Sequence, residues 1–355
     1  LYILEVVLPN QHRKIPFLLL LFAGMILSAC APVVTADVNP TQTPLKETIQ
    51  NTIVPDVEIN QPVLETTTLP EELKPEPNAV PTKEEPLSET STLAENTQPT
   101  LENKPPLEED DWQNFPILPE VSDRAREIYE QGLLSGTHPD RFSKIGDCQN
   151  INTYFLALYD DPNAYTLGKD YEYLQSTIDH YQGSWSRDSI AVKGGFNVAS
   201  VFNPWFNNKE LCGDNESPVE CELRVNRPSV VLISMETWWN SDTSKYEGYL
   251  RQMVDLVIRY GAVPILSTKA DNQEGDHSIN KAITRVAYEY DLPLWNFWLA
   301  VQPLPRHGVE KDGFHITHGL NDFSDPLNLR SAWPMRNLTA LQALDAVWSG
   351  LQKEK

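Results

Sequence analysis

From about residue 120 to the C-terminus, short apolar runs alternate with longer stretches in which apolar residues recur every three or four positions. A short apolar run suits a buried strand, and a 3.6-residue recurrence suits a helix with one core-facing stripe. Arg141-Phe142-Ser143-Lys144-Ile145 predicts a first strand running into the turn Gly146-Asp147-Cys148. Ser189-Ile190-Ala191-Val192 predicts a weaker second strand, and residues 229–234 a clear third. Residues 263–268 and 292–296 predict two more, each preceded by a helix, over 244–260 and 278–290. In the first of these helices Tyr249, Leu250, Met253, Leu256, Val257 and Tyr260 share one face, and Gly261 ends it. A last helix over 337–352 carries Leu338, Leu341, Leu344, Val347 and Leu351 on one stripe. Crossovers of this length predict a three-layered α/β domain with a mainly parallel sheet and ligands beyond the carboxyl ends of its strands. That edge would collect Cys148, Gly194 and Gly195, the stretch after Ser234, the loop after Thr268 and the Asp312–His315 loop.

The N-terminal third has a different pattern. Arg13 and Lys14 precede an apolar run over 15–27 that closes in Leu27-Ser28-Ala29-Cys30. This reads as a bacterial lipoprotein signal over 1–30, with Cys30 carrying the lipid. The run falls short of the ~20 apolar residues that span a bilayer. Residues 31–111 hold thirteen prolines, seventeen acidic residues against four basic, no glycine and no aromatic. Such a composition cannot bury a core, so 31–115 is expected to be a disordered, proline-stiffened linker ahead of a folded domain over 116–355. The linker's surplus, seventeen minus four, supplies thirteen of the chain's 22 net negative charges. The acidity therefore says little about a substrate, and it argues against nucleic acid as a partner. The expected place is the bacterial cell envelope, outside the cytoplasm and held to the membrane by its lipid.

Cysteine usage agrees with export. With Cys30 lipidated, Cys212 and Cys221 bracket a short polar loop that a disulfide could staple, which leaves Cys148 unpaired.

In order and spacing, Gly146-Asp147-Cys148, the Gly194-Gly195 pair and Asp312-Gly313-Phe314-His315 resemble the conserved blocks of the SGNH/GDSL hydrolases over about 140–350, with cysteine where that family has serine. The resemblance implies a flavodoxin-like, SGNH-type α/β fold and acyl transfer. Cys148 would attack an ester carbonyl, His315 would take its proton and Asp312 would orient the imidazole. Backbone N–H groups at Cys148 and Gly194 or Gly195 would hold the oxyanion. A Cys148–His315 pair is expected to be at least partly thiolate. The family's Gly-x-Asn block is missing: after Val230-Val231-Leu232-Ile233 the chain reads Ser234-Met235-Glu236-Thr237-Trp238-Trp239-Asn240, and the expected oxyanion-holding asparagine falls on Trp238. Asn240 and Asn197 are other sources, though spacing licenses neither. The competing reading of Cys148 is a small buried residue in a fold whose chemistry has lapsed.

Asp271, Glu274, Asp276 and His277 share a loop at the same edge, where a metal is one reading and an Asp276 N-cap the stronger one. His318 reads as exposed or supporting rather than as a ligand. Trp185, Trp295 and Trp298 read as core, while Trp238-Trp239 stays open between core and pocket wall. No metal and no cofactor is expected. Together these observations predict a surface-tethered hydrolase of esters or acetyl groups on a glycan, lipid or small ester, with a non-catalytic glycan-binding lipoprotein as the alternative.

Overall fold

The computed structural model describes residues 104–238 and 242–353. The signal segment with Cys30, the linker up to residue 103, Trp239 and Asn240 lie outside these residues. The described residues fall within one unit, Glu89–Lys355.

Four parallel strands form one α/β sheet in the order β1-β2-β3-β4: β1 His138–Gly146, β2 Pro228–Ser234, β3 Val263–Ser267 and β4 Leu294–Trp295. β2 is buried along its whole length, as a central parallel strand covered on both faces must be. The expected second strand is not a strand. Residues 189–192 meet the free edge of β1 only through a bridge between Gly146 and Val192. Side chains take over the ladder there: Ser189 Oγ donates to the Lys144 carbonyl (2.6 Å), and the Ile190 N–H donates to Glu222 (2.9 Å).

Among the described residues seven α-helices accompany the sheet: α1 Asp123–Leu134, α2 Gln175–His180, α3 Pro218–Asn226, α4 Thr243–Arg259, α5 Ser278–Glu289, α6 Phe297–Val301 and α7 Ala332–Leu351. α4 and α5 lie within a residue of the expected bounds. On α4 the stripe turns slightly, so that Tyr246 is buried and Tyr260 is exposed. α7 starts five residues early, with Pro334 in its first turn, where a missing N–H costs nothing. α3 was not anticipated, although Ser217-Pro218-Val219-Glu220 spells a capping box with proline at the first helical position. Cys212 and Cys221 are bridged, tying the preceding loop to this helix. α1 meets the end of α4 at Gly132 and Gly261. A Cβ on Gly132 would lie 1.8 Å from the Gly261 carbonyl oxygen, so only glycine permits this approach.

α3 packs on α4 and α4 on α5, while α1 and α2 pack on α7. Trp185 and Trp295 are fully buried: Trp185 meets Phe142, Tyr159 and Tyr181 edge-on, and Trp295 lies beside Phe155 and Phe297. The domain also begins earlier than residue 116. Lys104 pairs with Asp291, Glu109 with Lys281, and Trp112 is 2% exposed against the rings of His277 and Trp298. Proline and acidic content marked this stretch as linker, but one tryptophan gives it enough apolar surface to dock.

Candidate active site

Gly146 is the register partner of Ser234, so the chain leaves β1 beside the end of β2. The Asp147 carboxylate then does two things. Its Oδ1 accepts the Gln149 N–H (2.9 Å), capping the single 3-10 turn Cys148–Asn150, and its Oδ2 accepts from the Thr237 hydroxyl. Asn150 donates to the Ser234 carbonyl (2.7 Å). A Cβ on Gly146 would sit 2.1 Å from the Asn150 amide, so the glycine lets this turn fold back on the strand end. Cys148 is thereby held half-buried at the carboxyl edge of the sheet.

Its environment is the reverse of the thiolate-stabilising one expected. Burial foremost, then the Asp147 carboxylate and to a lesser degree Glu236, push the Cys148 thiol up to about 11, against a smaller opposing pull from its own N–H and Arg336. A single 3-10 turn supplies no helix dipole, and no hydrogen bond joins Cys148 to His315. Cys148 is therefore a neutral thiol at neutral pH. Of the two glycines, Gly194 lies beside it, since a Cβ there would be 4.0 Å from the Cys148 Cβ. Gly195 has φ +89° with open space around it and serves the turn.

Asp312 and His315 sit at the tip of a small hairpin closed by a bridge between Val309 and Ile316. The His315 carbonyl accepts from Glu310 (2.7 Å) and the Gly308 carbonyl from Thr317 (2.8 Å). Asp312 Oδ1 accepts the N–H groups of Phe314 and His315 (3.0 Å each), and its Oδ2 pairs with His315 Nδ1 at 2.6 Å. The bond to His315 foremost holds the Asp312 carboxyl down to about 2. A carboxylate only accepts, so Nδ1 carries the proton of the neutral ring and Nε2 is left as a base. His315 is 63% exposed at its side chain and can meet a ligand.

The Cys148 turn and this hairpin both rest on the start of α7. Arg336 influences Cys148, while Asn337 donates to the Tyr154 carbonyl and accepts the Leu156 N–H. On the hairpin side Trp333 donates its N–H to the Thr317 carbonyl (2.9 Å), and His318, which is exposed, lies against Tyr154 and Trp333. Tyr154, which is exposed, stacks at 5.3 Å on Trp333, which is buried, a pair that the sequence did not single out.

Behind Cys148 is a polar network that the sequence reading also missed. Arg336 is 1% exposed, with its guanidinium over the rings of Phe155 (4.7 Å), Phe297 (5.0 Å) and Trp295 (5.3 Å). It donates to Ser234 Oγ (2.5 Å), which in turn donates to Glu236 Oε1 (2.7 Å). Glu236 is 5% exposed, and burial foremost raises its carboxyl to about 8 despite Arg336. A glutamate two residues beyond a strand buried along its whole length was the visible signal. The arginine was hidden inside an apolar helix.

Of the suggested oxyanion donors, Asn240 lies outside the described residues, and Trp238 stands where the asparagine was expected. The indole N–H of Trp238 donates to the Asp242 carbonyl (3.1 Å), and Asn197 Oδ1 accepts two N–H groups of its own turn, Ala199 and Ser200 (3.0 Å each). In the acidic loop Lys269 pairs with Asp271 (2.8 Å) and with one oxygen of Glu274 (2.6 Å); the N-cap of α5 is His277 rather than Asp276, which stands one residue earlier and accepts the Ser278 N–H (2.9 Å). A cavity of about 330 Å³ lined by Phe115, Val121, Tyr288 and Leu292 lies where residues 104–122 cross α5 and contains none of the candidate site residues. No known family model, curated protein or solved structure matches this chain.

Proposed function

We propose that the domain is an acyl-ester hydrolase of SGNH/GDSL type with Cys148 as nucleophile, held outside the cytoplasm by a lipid on Cys30. The observation that carries this reading is the Asp312–His315 pair, which leaves Nε2 as a base at the exposed tip of a hairpin resting on the same helix as the Cys148 turn. The bridge at Val192 supports the finer fold as well. With residues 189–192 counted as an edge segment beside β1, the order would be that of a three-layer, flavodoxin-like sheet.

Because the thiol is neutral, the chemistry runs by general-base catalysis rather than through a standing ion pair. The Cys148 S–H proton passes to His315 Nε2 as the C–S bond forms, and the carbonyl π pair moves onto oxygen. The N–H groups of Cys148 and Gly194 face the developing charge. Collapse expels the alkoxide, which takes the proton from His315. Water, deprotonated by the same nitrogen, then hydrolyses the thioester and returns the proton to sulfur. An acetylated glycan is the substrate class favoured by the expected envelope location and by the exposed Tyr154 ring.

The second reading, a glycan-binding protein with lapsed chemistry, draws on the same exposed Tyr154 ring and on the neutral, unactivated thiol. Burst kinetics of residues 104–355 with a chromogenic acetyl ester separate the two. A burst stoichiometric with protein that vanishes in Cys148→Ala supports hydrolysis. Silence of the unaltered protein and of Cys148→Ser toward two acyl esters would leave the binding protein.

A further inference from the structure

We propose that Glu236, as a neutral carboxylic acid, is the side-chain oxyanion donor of this site, in place of the asparagine that the sequence lacks. The inference rests on the hydrolase reading and adds a residue to it.

Two observations carry it. The first is register. Gly146 and Ser234 are partners on adjacent parallel strands, so Cys148 and Glu236 each lie two residues beyond a matched pair, at the same carboxyl edge. Asp147 and Thr237, joined by a hydrogen bond, lock these two strand extensions together. The second is the direction of the buried hydrogen bonds. Arg336 has only N–H groups to offer and donates to Ser234 Oγ, so the single hydroxyl proton of Ser234 goes to Glu236 Oε1. Oε1 is therefore an acceptor, and the acid proton of a neutral Glu236 resides on Oε2. Ser234 is the side chain that bonds Glu236 among the described residues, and Oε2 is not among the sealed, unpartnered atoms, so that proton can be offered to a ligand.

The charged and titratable groups around Glu236 come from each element packed on it. Asp147 and Cys148 follow β1, Tyr246 of α4 donates to the Met235 carbonyl (3.2 Å), and Arg336 projects from α7. Asp147 disfavours a second carboxylate and Arg336 favours one. Burial tips the balance toward the neutral acid, raising its titration to about 8. A carboxylate on Glu236 could only accept and would repel the oxyanion, whereas the acid donates to it.

The test compares the unaltered domain with Glu236→Gln and Glu236→Ala in acetyl-ester hydrolysis across pH. Glu236→Ala is expected to lower kcat by about 10²–10³ with little change in KM, as loss of one oxyanion donor does. Glu236→Gln, whose amide also donates, is expected to stay within about tenfold of the unaltered enzyme. The fall of kcat/KM as pH rises through about 8 should be present in the unaltered enzyme and absent from Glu236→Gln. A merely structural Glu236 would not move that limb. An active unaltered enzyme whose alkaline limb persists in Glu236→Gln, or a Glu236→Ala variant of full activity, overturns the assignment and leaves the hydrolase reading intact. Inactivity of the unaltered protein together with Cys148→Ser overturns both.

Discussion

Gln273 Nε2 donates to the Gly313 carbonyl at 2.6 Å, tying the loop after β3 to the tip of the hairpin that bears Asp312 and His315. Gly313 has φ +77°, a conformation few side chains adopt, and a Cβ there would stand 3.2 Å from the Gln273 amide. The hairpin tip is thus set by a partner forty residues away in sequence.

Gln273→Ala should release this tether without touching the thiol. Since small misplacements of a base cost one to two decades, kcat for acetyl esters is expected to fall about tenfold with the melting temperature nearly unchanged. Steady-state kinetics beside a thermal melt check this. An unaltered kcat would show that the hairpin holds His315 without Gln273.

Cys148 should behave as a buried thiol. Its alkylation by iodoacetamide is expected to be slow at pH 7 and to climb with pH toward about 11. Mass-spectrometric rates across that range provide the test, and a rate that levels off below pH 8 would show a low-pKa thiol after all.

Glu236 links stability to pH. Its carboxyl titrates at about 8 in the folded protein against an ordinary 4.5, so between these values the folded state holds a proton that the unfolded state has lost. Its contribution is fully present below about 4.5 and is lost as pH rises toward 8. Urea unfolding midpoints should therefore fall over this window in the unaltered domain, and fall less in Glu236→Gln. Parallel curves would mean that Glu236 is charged in the folded state.

Lys269 is enclosed with Asp271 and Glu274 in the loop after β3. Lys269→Met leaves two carboxylates without their cation, and removing one partner of such a group typically costs about 3–5 kcal/mol. Equilibrium unfolding of the variant measures the loss, and a change below about 1 kcal/mol would place this cluster with solvent-screened surface pairs.

The bridge between Cys212 and Cys221 closes a loop of nine-residue separation. A loop of that length is worth about 2–3 kcal/mol through the unfolded chain. The double variant Cys212→Ser/Cys221→Ser should lose about that much in urea unfolding, with acyl transfer, if present, retained. Identical unfolding curves would show that the α3 capping box alone holds the segment.

The strongest helices and the central strands were legible because each pattern records one local choice, a stripe at 3.6 residues or a short apolar run that demands cover on both faces. α4, α5, β2 and β3 came out within a residue or two for that reason. The Asp312–His315 pairing was legible too, since residues three apart meet in any tight turn. Residues 189–192 read as a strand because nothing local says that Glu222, on a helix thirty residues later, will take the Ile190 N–H.

By itself, then, the sequence determined the α/β class, the parallel sheet, its central strands and longest helices, and the presence of Cys148, Asp312 and His315 as chemistry-bearing side chains. Tertiary structure decided their states. Burial beside Asp147 and Glu236 turned the expected thiolate into a thiol, packing on Trp298 and His277 drew Trp112 out of a linker-like stretch, and convergence on α7 joined Arg336, Ser234 and Glu236 behind the site. The reason is physical: hydrophobic periodicity is local in the chain, whereas desolvation and charge pairing depend on which distant residues fold onto a group.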